Sequence, residues 1–163
     1  MLGAKTLVSG LVMIATLLGI GAASWPPSAD AGQRALFTGI VRGVAVGGYD
    51  PVAYFKQGRA VEGNATIALG HAGATWRFSS EANRDAFKSD PATYAPRYGG
   101  YCAWAVSKNY TAKGDPKAWS IVDGKLYLNY DLSVKRTWEK DTAANIAAGD
   151  KNWHVGGTHC RCQ

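Results

Sequence analysis

Beyond residue 31 the apolar positions of this chain come in short bursts bounded by Gly, Pro, Asp and Asn, which predicts many small elements rather than a few long ones. Leu36-Phe37-Thr38-Gly39-Ile40-Val41 reads as a short strand. In the stretch Gly48 to Gly58, Asp50 can accept hydrogen bonds from the free amides of a helix start. Pro51 suits the first turn, where its missing N–H would be unpaired anyway, and Gly58 can close the helix. A helix of about two turns results, with Val52, Phe55 and Tyr54 available to a core.

Thr66 to Gly70 and Thr75 to Phe78 read as two strands joined across His71-Ala72-Gly73-Ala74, with Ile67, Leu69, Trp76 and Phe78 on one face. Ser79 or Ser80 then caps a helix through Phe87, which should stop before Asp90-Pro91 because the residue ahead of proline disfavours helical geometry. Asp90-Pro91 opens one more helical turn. Asp115-Pro116 precedes two alternating apolar runs, Ala118 to Val122 and Lys125 to Asn129, joined by Asp123-Gly124, a strong local signal for a hairpin. Asp131 is placed to cap a longer helix from Leu132 to about Ala148, with Val134, Trp138 and Ile146 near one face and Gly149-Asp150 at its end. Asp50, Asp90 and Asp115 all read as caps; the three Asp-Pro pairs share no period and are not read as repeats. The sum is an α+β fold: a small antiparallel sheet of two hairpins packed with several short helices and one longer C-terminal helix.

The N-terminus has a different texture. Lys5 precedes an apolar run from Leu7 to Ile20, and small residues follow, the pattern of a signal peptide cleaved after Ala23 or, preferably, after Ala31. The expected organisation is therefore a signal peptide over 1–31, one domain over 32–153 and a tail over 154–163, in the periplasm or secreted, with no stable membrane insertion after cleavage. Eighteen Lys and Arg against twelve Asp and Glu give a net charge of +6, but the basic residues are scattered singly, so no nucleic-acid partner is expected.

Three cysteines carry the candidate chemistry. Cys102 stands between Tyr101 and Trp104 behind Gly99-Gly100, either as core filling or as a reactive thiol. The tail holds His154, His159, Cys160 and Cys162, joined by glycines that would let these residues wrap around one ion. Imidazole with thiolate favours copper(I) or zinc over hard cations, which makes Cys102, His154, His159, Cys160 and Cys162 the candidate metal ligands. In an oxidising compartment a disulfide between Cys102 and a tail cysteine competes with that reading. No acyl-transfer or hydrolase pattern surrounds the cysteines and no phosphate-cradling glycine loop is present, so an enzyme is not expected.

Five ordered blocks carry a family resemblance: Gly48 to Phe55, Gly73 to Phe87, Asp90 to Pro96, Tyr98 to Cys102, and Trp119 to Asn129. Together they resemble an exported bacterial YHS-domain protein, from roughly Phe37 to Trp153. The resemblance implies a small domain associated with metal ions, copper in particular. In the metal-associated branch cysteines would stand where this chain has Ala53, Ser79 and Asn83, none of which can act as a thiolate. The leading expectation is binding or buffering of a soft or borderline metal. The alternative is a non-catalytic structural or protein-interaction domain of the cell envelope, its cysteines buried or disulfide-bonded.

Overall fold

The computed structural model describes residues 36–153 and the backbone of residues 161–162. The expected signal peptide over 1–31 and the tail residues His154, His159 and Cys160 lie outside the described residues. The fold is α+β. A tight 3-10 turn, Ala45–Gly48, leads through Asp50 into α1 (Ala53–Gln57), which Gly58 closes in the left-handed conformation. The first hairpin, β1 (Asn64–His71) and β2 (Ala74–Phe78), turns through Ala72 and Gly73, both at positive φ. Helix α2 (Glu81–Ser89) is capped by Ser80, whose hydroxyl accepts from the Asn83 N–H, and α3 (Pro91–Tyr94) is capped by Asp90.

A second 3-10 turn, Arg97–Gly100, opens the other half and leads through Cys102 into α4 (Ala103–Ser107). The short β3 (Tyr110–Thr111) follows, then the hairpin of β4 (Asp115–Val122) and β5 (Lys125–Asn129), turned by Asp123-Gly124. Helices α5 (Leu132–Glu139) and α6 (Thr142–Asn152) come next, and β6 (Arg161–Cys162) pairs in parallel with β3. The two expected hairpins form, each as its own two-stranded antiparallel sheet. Among the described residues no helix is long and apolar enough to cross a membrane.

Three local expectations are corrected. Leu36 to Val41 is no strand: Gly39 and Ile40 form a turn, and Val41 makes a single bridge to Val44. The helix expected over Leu132 to Ala148 is two helices, because Asp141 adopts a non-helical backbone and its carboxylate accepts from the Ala144 N–H, starting α6 afresh; α6 then runs past Gly149 to Asn152. Asp115 caps no helix. It lies in β4, where its carboxylate accepts from the Lys117 N–H and secures an irregularity in the strand.

The two halves are also two copies of one unit. Val46 and Gly47 hold nearly the same left-handed angles as Tyr98 and Gly99, and each pair is followed by a glycine, a tyrosine and a capping residue. Tyr49 bridges Glu62 as Tyr101 bridges Lys113, and the Asp50 N–H donates to Val61 O as the Cys102 N–H donates to Ala112 O. Both hairpins shift register at matching points, Asn64 to Ala68 and Asp115 to Trp119. From there the spacing is constant: Trp76 and Tyr127, Ser80 and Asp131, Phe87 and Trp138, Asp90 and Asp141 occupy corresponding places.

Packing follows the same scheme. Trp76 lies on Phe87 with ring centroids 4.7 Å apart, and Tyr127 lies on Trp138 at 5.3 Å. One core gathers Val52, Tyr54, Trp76, Phe78 and Phe87 with Leu126 and Leu128 from the other half; a second holds Tyr98, Ala103, Val106, Tyr127 and Trp138. Burying a side chain of this size is worth about 1.5–3 kcal/mol, so these residues dominate the stability of the fold.

Candidate functional site

Two buried capping residues stand at the start of the two short helices. Asp50 is fully buried, and its carboxylate takes five hydrogen bonds. Oδ1 accepts from the N–H groups of Val52 at 2.9 Å and Ala53 at 3.3 Å. Oδ2 accepts from the Ser79 N–H at 2.8 Å, the Ser79 hydroxyl at 2.6 Å and the Asn83 amide at 2.7 Å. A buried carboxylate without such donors would be severely destabilising. Read from the sequence as an ordinary cap, Asp50 in fact ties α1 to the end of β2 and to α2. Ala53, Ser79 and Asn83, set aside as metal ligands for want of thiols, are brought together around this one carboxylate.

Cys102 is the counterpart of Asp50. Its side chain is 1% exposed and free of any disulfide. The sulfur accepts from the Ala105 N–H at 3.5 Å, as Asp50 accepts from Ala53, and its S–H lies 3.8 Å from Asn129 Oδ1. That same Oδ1 accepts from the Trp104 N–H at 3.1 Å. Burial pushes the Cys102 thiol above its ordinary range; the backbone N–H groups of Ala105, Tyr130 and Trp104 pull it back in part, and the negative charge of Asp131 pushes it up further. The resting group is a protonated thiol, a poor ligand and a slow nucleophile.

Asn129 is missing from the sequence-based candidates, although it is fully buried against the sulfur. Its Nδ2 is one of two buried side-chain donors without a hydrogen-bond partner among the described residues, the other being Trp138 Nε1. An asparagine ending a run of Lys125-Leu126-Tyr127-Leu128 at a position facing the core was the available signal.

Of the tail ligands only Cys162 is reached by the described backbone, in β6 opposite Thr111. The adjacent Ala112 carbonyl accepts from the Cys102 N–H, so the β3 chain runs between the two cysteines. Among the described residues no group of three His, Cys, Asp or Glu is arranged to hold a metal ion. His71 sits exposed at the end of β1, its ring edge-on to Phe87 at 5.6 Å.

Compared with known proteins, the chain matches no family model, no curated protein and no solved structure.

Proposed function

We propose that this protein is an exported, non-catalytic YHS-like domain whose soft-metal capacity, for copper or zinc, resides in His154, His159, Cys160 and Cys162 and not in Cys102. The observation that carries the division of labour is the setting of Cys102: its sulfur is turned inward at the start of α4, covered, and already engaged by the Ala105 N–H and by Asn129 Oδ1. A metal would have to displace those contacts and bring a second ligand to a sulfur that Asn129 already covers. The tail has two imidazoles and two thiols, donors suited to copper(I) or zinc. The described domain then serves as the platform that presents them.

The test is metal analysis of reduced protein loaded with copper(I) or zinc in three forms: full chain, chain ending at Trp153, and Cys102→Ser. The expected result is one bound metal in the first and third and none in the second. Metal retained after truncation, or absent from all three, overturns the proposal.

A second reading, an interaction domain of the cell envelope, is favoured by Tyr130, just before α5, and Leu132, its first residue, which are 43% and 55% exposed. Solvent-facing apolar side chains of this size close together are a common feature of protein contact surfaces.

A further inference from the structure

Two Asn-Xaa-Thr triplets stand in this chain, Asn64-Ala65-Thr66 and Asn109-Tyr110-Thr111, and the fold treats them differently. Such a triplet is the acceptor pattern for N-linked glycosylation of exported proteins, provided that a transferase can reach it. Asn64, Ala65 and Thr66 are all exposed at the start of β1. The ladder of the first hairpin jumps from Asn64–Phe78 to Ala68–Arg77, so Ala65 and Thr66 leave it as a bulge. Here Asn64 Oδ1 accepts from both the N–H and the hydroxyl of Thr66, each at 2.9 Å. Neither bond uses Nδ2, the atom that a sugar would join.

The second copy of the unit shows what this turn requires. At the corresponding place Asp115 Oδ1 accepts from the Lys117 N–H at 2.8 Å. One side-chain oxygen is therefore enough to shape the bulge, and neither an amide nor a hydroxyl is needed. The first copy has both, and it adds the exposed carboxylate of Glu62 two residues ahead of the asparagine, beside the Tyr49 hydroxyl at 3.1 Å. The other triplet is built into the fold instead. Asn109 holds a positive φ of 65° and its N–H closes the end of α4 on the Val106 carbonyl, while Tyr110 and Thr111 pair with Arg161 and Cys162. Two residues ahead of it stands Ser107, buried and uncharged.

We propose that Asn64 is an N-glycosylation site and that Asn109, in the folded protein, is not. The donor is an oligosaccharide carried on a lipid pyrophosphate, and the partner is an oligosaccharyltransferase that meets exported chains. Asn64 Nδ2 attacks the anomeric carbon of the first sugar, and an N–C bond forms as the C–O bond to the pyrophosphate breaks. The lipid pyrophosphate leaves with the bonding electron pair, one Nδ2 proton passes to a carboxylate of the transferase, and nothing is oxidised or reduced. The two donors on Oδ1 favour charge on that oxygen and so ease the loss of the Nδ2 proton. Glu62 gives a cationic group of the transferase a carboxylate to pair with. The proposal rests on the export read above, but glycosylation of purified protein needs neither export nor metal, so the two readings fail separately.

The test incubates the purified, folded full chain with a bacterial single-subunit oligosaccharyltransferase and its lipid-linked oligosaccharide, beside a standard acceptor peptide. Peptide mass analysis should find one glycan, on Asn64, and none on Asn109. Asn64→Asp keeps an oxygen for the Thr66 N–H, as Asp115 does for Lys117, so it should lose the glycan while retaining the native near-ultraviolet circular dichroism and melting temperature. Thr66→Val should also lose the glycan, Thr66→Ser should keep it, and Glu62→Gln should lower the yield. The proposal is overturned if Asn64 stays bare while the peptide is modified, if Asn109 is glycosylated as fully as Asn64, or if the Asn64→Asp protein fails to fold.

Discussion

Ser79 gives both its backbone N–H and its hydroxyl to one oxygen of Asp50, at 2.8 and 2.6 Å. A single side chain thereby fixes the exit of β2 against the entry of α1, two points far apart in sequence. Asp50→Ala would take the acceptor from the buried N–H groups of Val52 and Ala53 and from the half-buried Ser79 N–H, and leave the Asn83 amide only its longer contact to the Ser79 hydroxyl at 3.3 Å. The expected loss is about 3–5 kcal/mol of unfolding free energy, read from urea denaturation midpoints with the slope unchanged. A loss under 1 kcal/mol would show that water replaces the carboxylate.

Gly63 and Gly114 correspond in the two halves, and both lie where the chain is pressed against backbone. A Cβ on Gly63 would come 2.5 Å from the Arg77 carbonyl carbon, and one on Gly114 would meet the Gly100 oxygen and the Leu128 side chain. Gly63→Ala and Gly114→Ala should each cost about 1–3 kcal/mol, measured by thermal unfolding. Gly73→Ala has open space around it, and only its positive φ opposes the change, so it should cost less than either.

Cys102 should resist alkylation. Covered and with its thiol pushed up by burial, it should react with iodoacetamide at pH 7 at least tenfold more slowly than a cysteine peptide, and as fast as the peptide in denaturing urea. Raising the pH toward 9 should speed the native reaction. Labelling at the peptide rate under native conditions would show a pocket that opens freely.

Acid should loosen the helix ends first. The carboxyls of Asp90, hydrogen-bonded by the Thr93 hydroxyl, Asp131, by the Ser133 hydroxyl, and Glu139, by Lys135, are held below their ordinary ranges. A carboxyl depressed in the folded state favours folding above its unfolded pKa, about 3.9 for Asp and 4.3 for Glu, and that contribution vanishes as the pH falls through the folded value. Stability from these groups should hold down to about pH 5 and decline below about pH 4. Asp131→Asn should flatten its share of that decline in acid titrations followed by circular dichroism.

Local chemistry was the most legible part of this fold. Asp123-Gly124 marked its hairpin because few other pairs accept two consecutive positive φ angles, and Ser80, Asp90 and Asp131 cap the helices expected of them. The break between α5 and α6 was hidden because Val134, Trp138 and Ile146 keep a helical rhythm straight across Lys140-Asp141; the missed signal was Asp141 itself, a capping residue inside an apparent helix. Leu36 to Val41 had strand-like composition but no neighbouring strand to pair with.

The site was legible only in part. Cys102 stood out at once, but its partner Asn129 is distant in sequence, and the clamp of Ser79 and Asn83 on Asp50 needs the hairpin to close before its members meet. The duplication escaped notice because most corresponding pairs, such as Trp76 and Tyr127 or Phe87 and Trp138, share bulk and not identity. Backbone angles and hydrogen bonds preserve what the side chains have altered.

Leu126 and Leu128 belong to the second hairpin yet are interred with Trp76 and Phe78 of the first, and the Tyr54 hydroxyl reaches across to the Pro116 carbonyl. The first copy therefore lacks a complete interior of its own, and two leucines of the second rely on it for cover. Cutting the chain between Ala95 and Pro96 would strip each fragment of apolar cover it cannot replace, so the pair should melt in one cooperative transition, with no half-folded species in between.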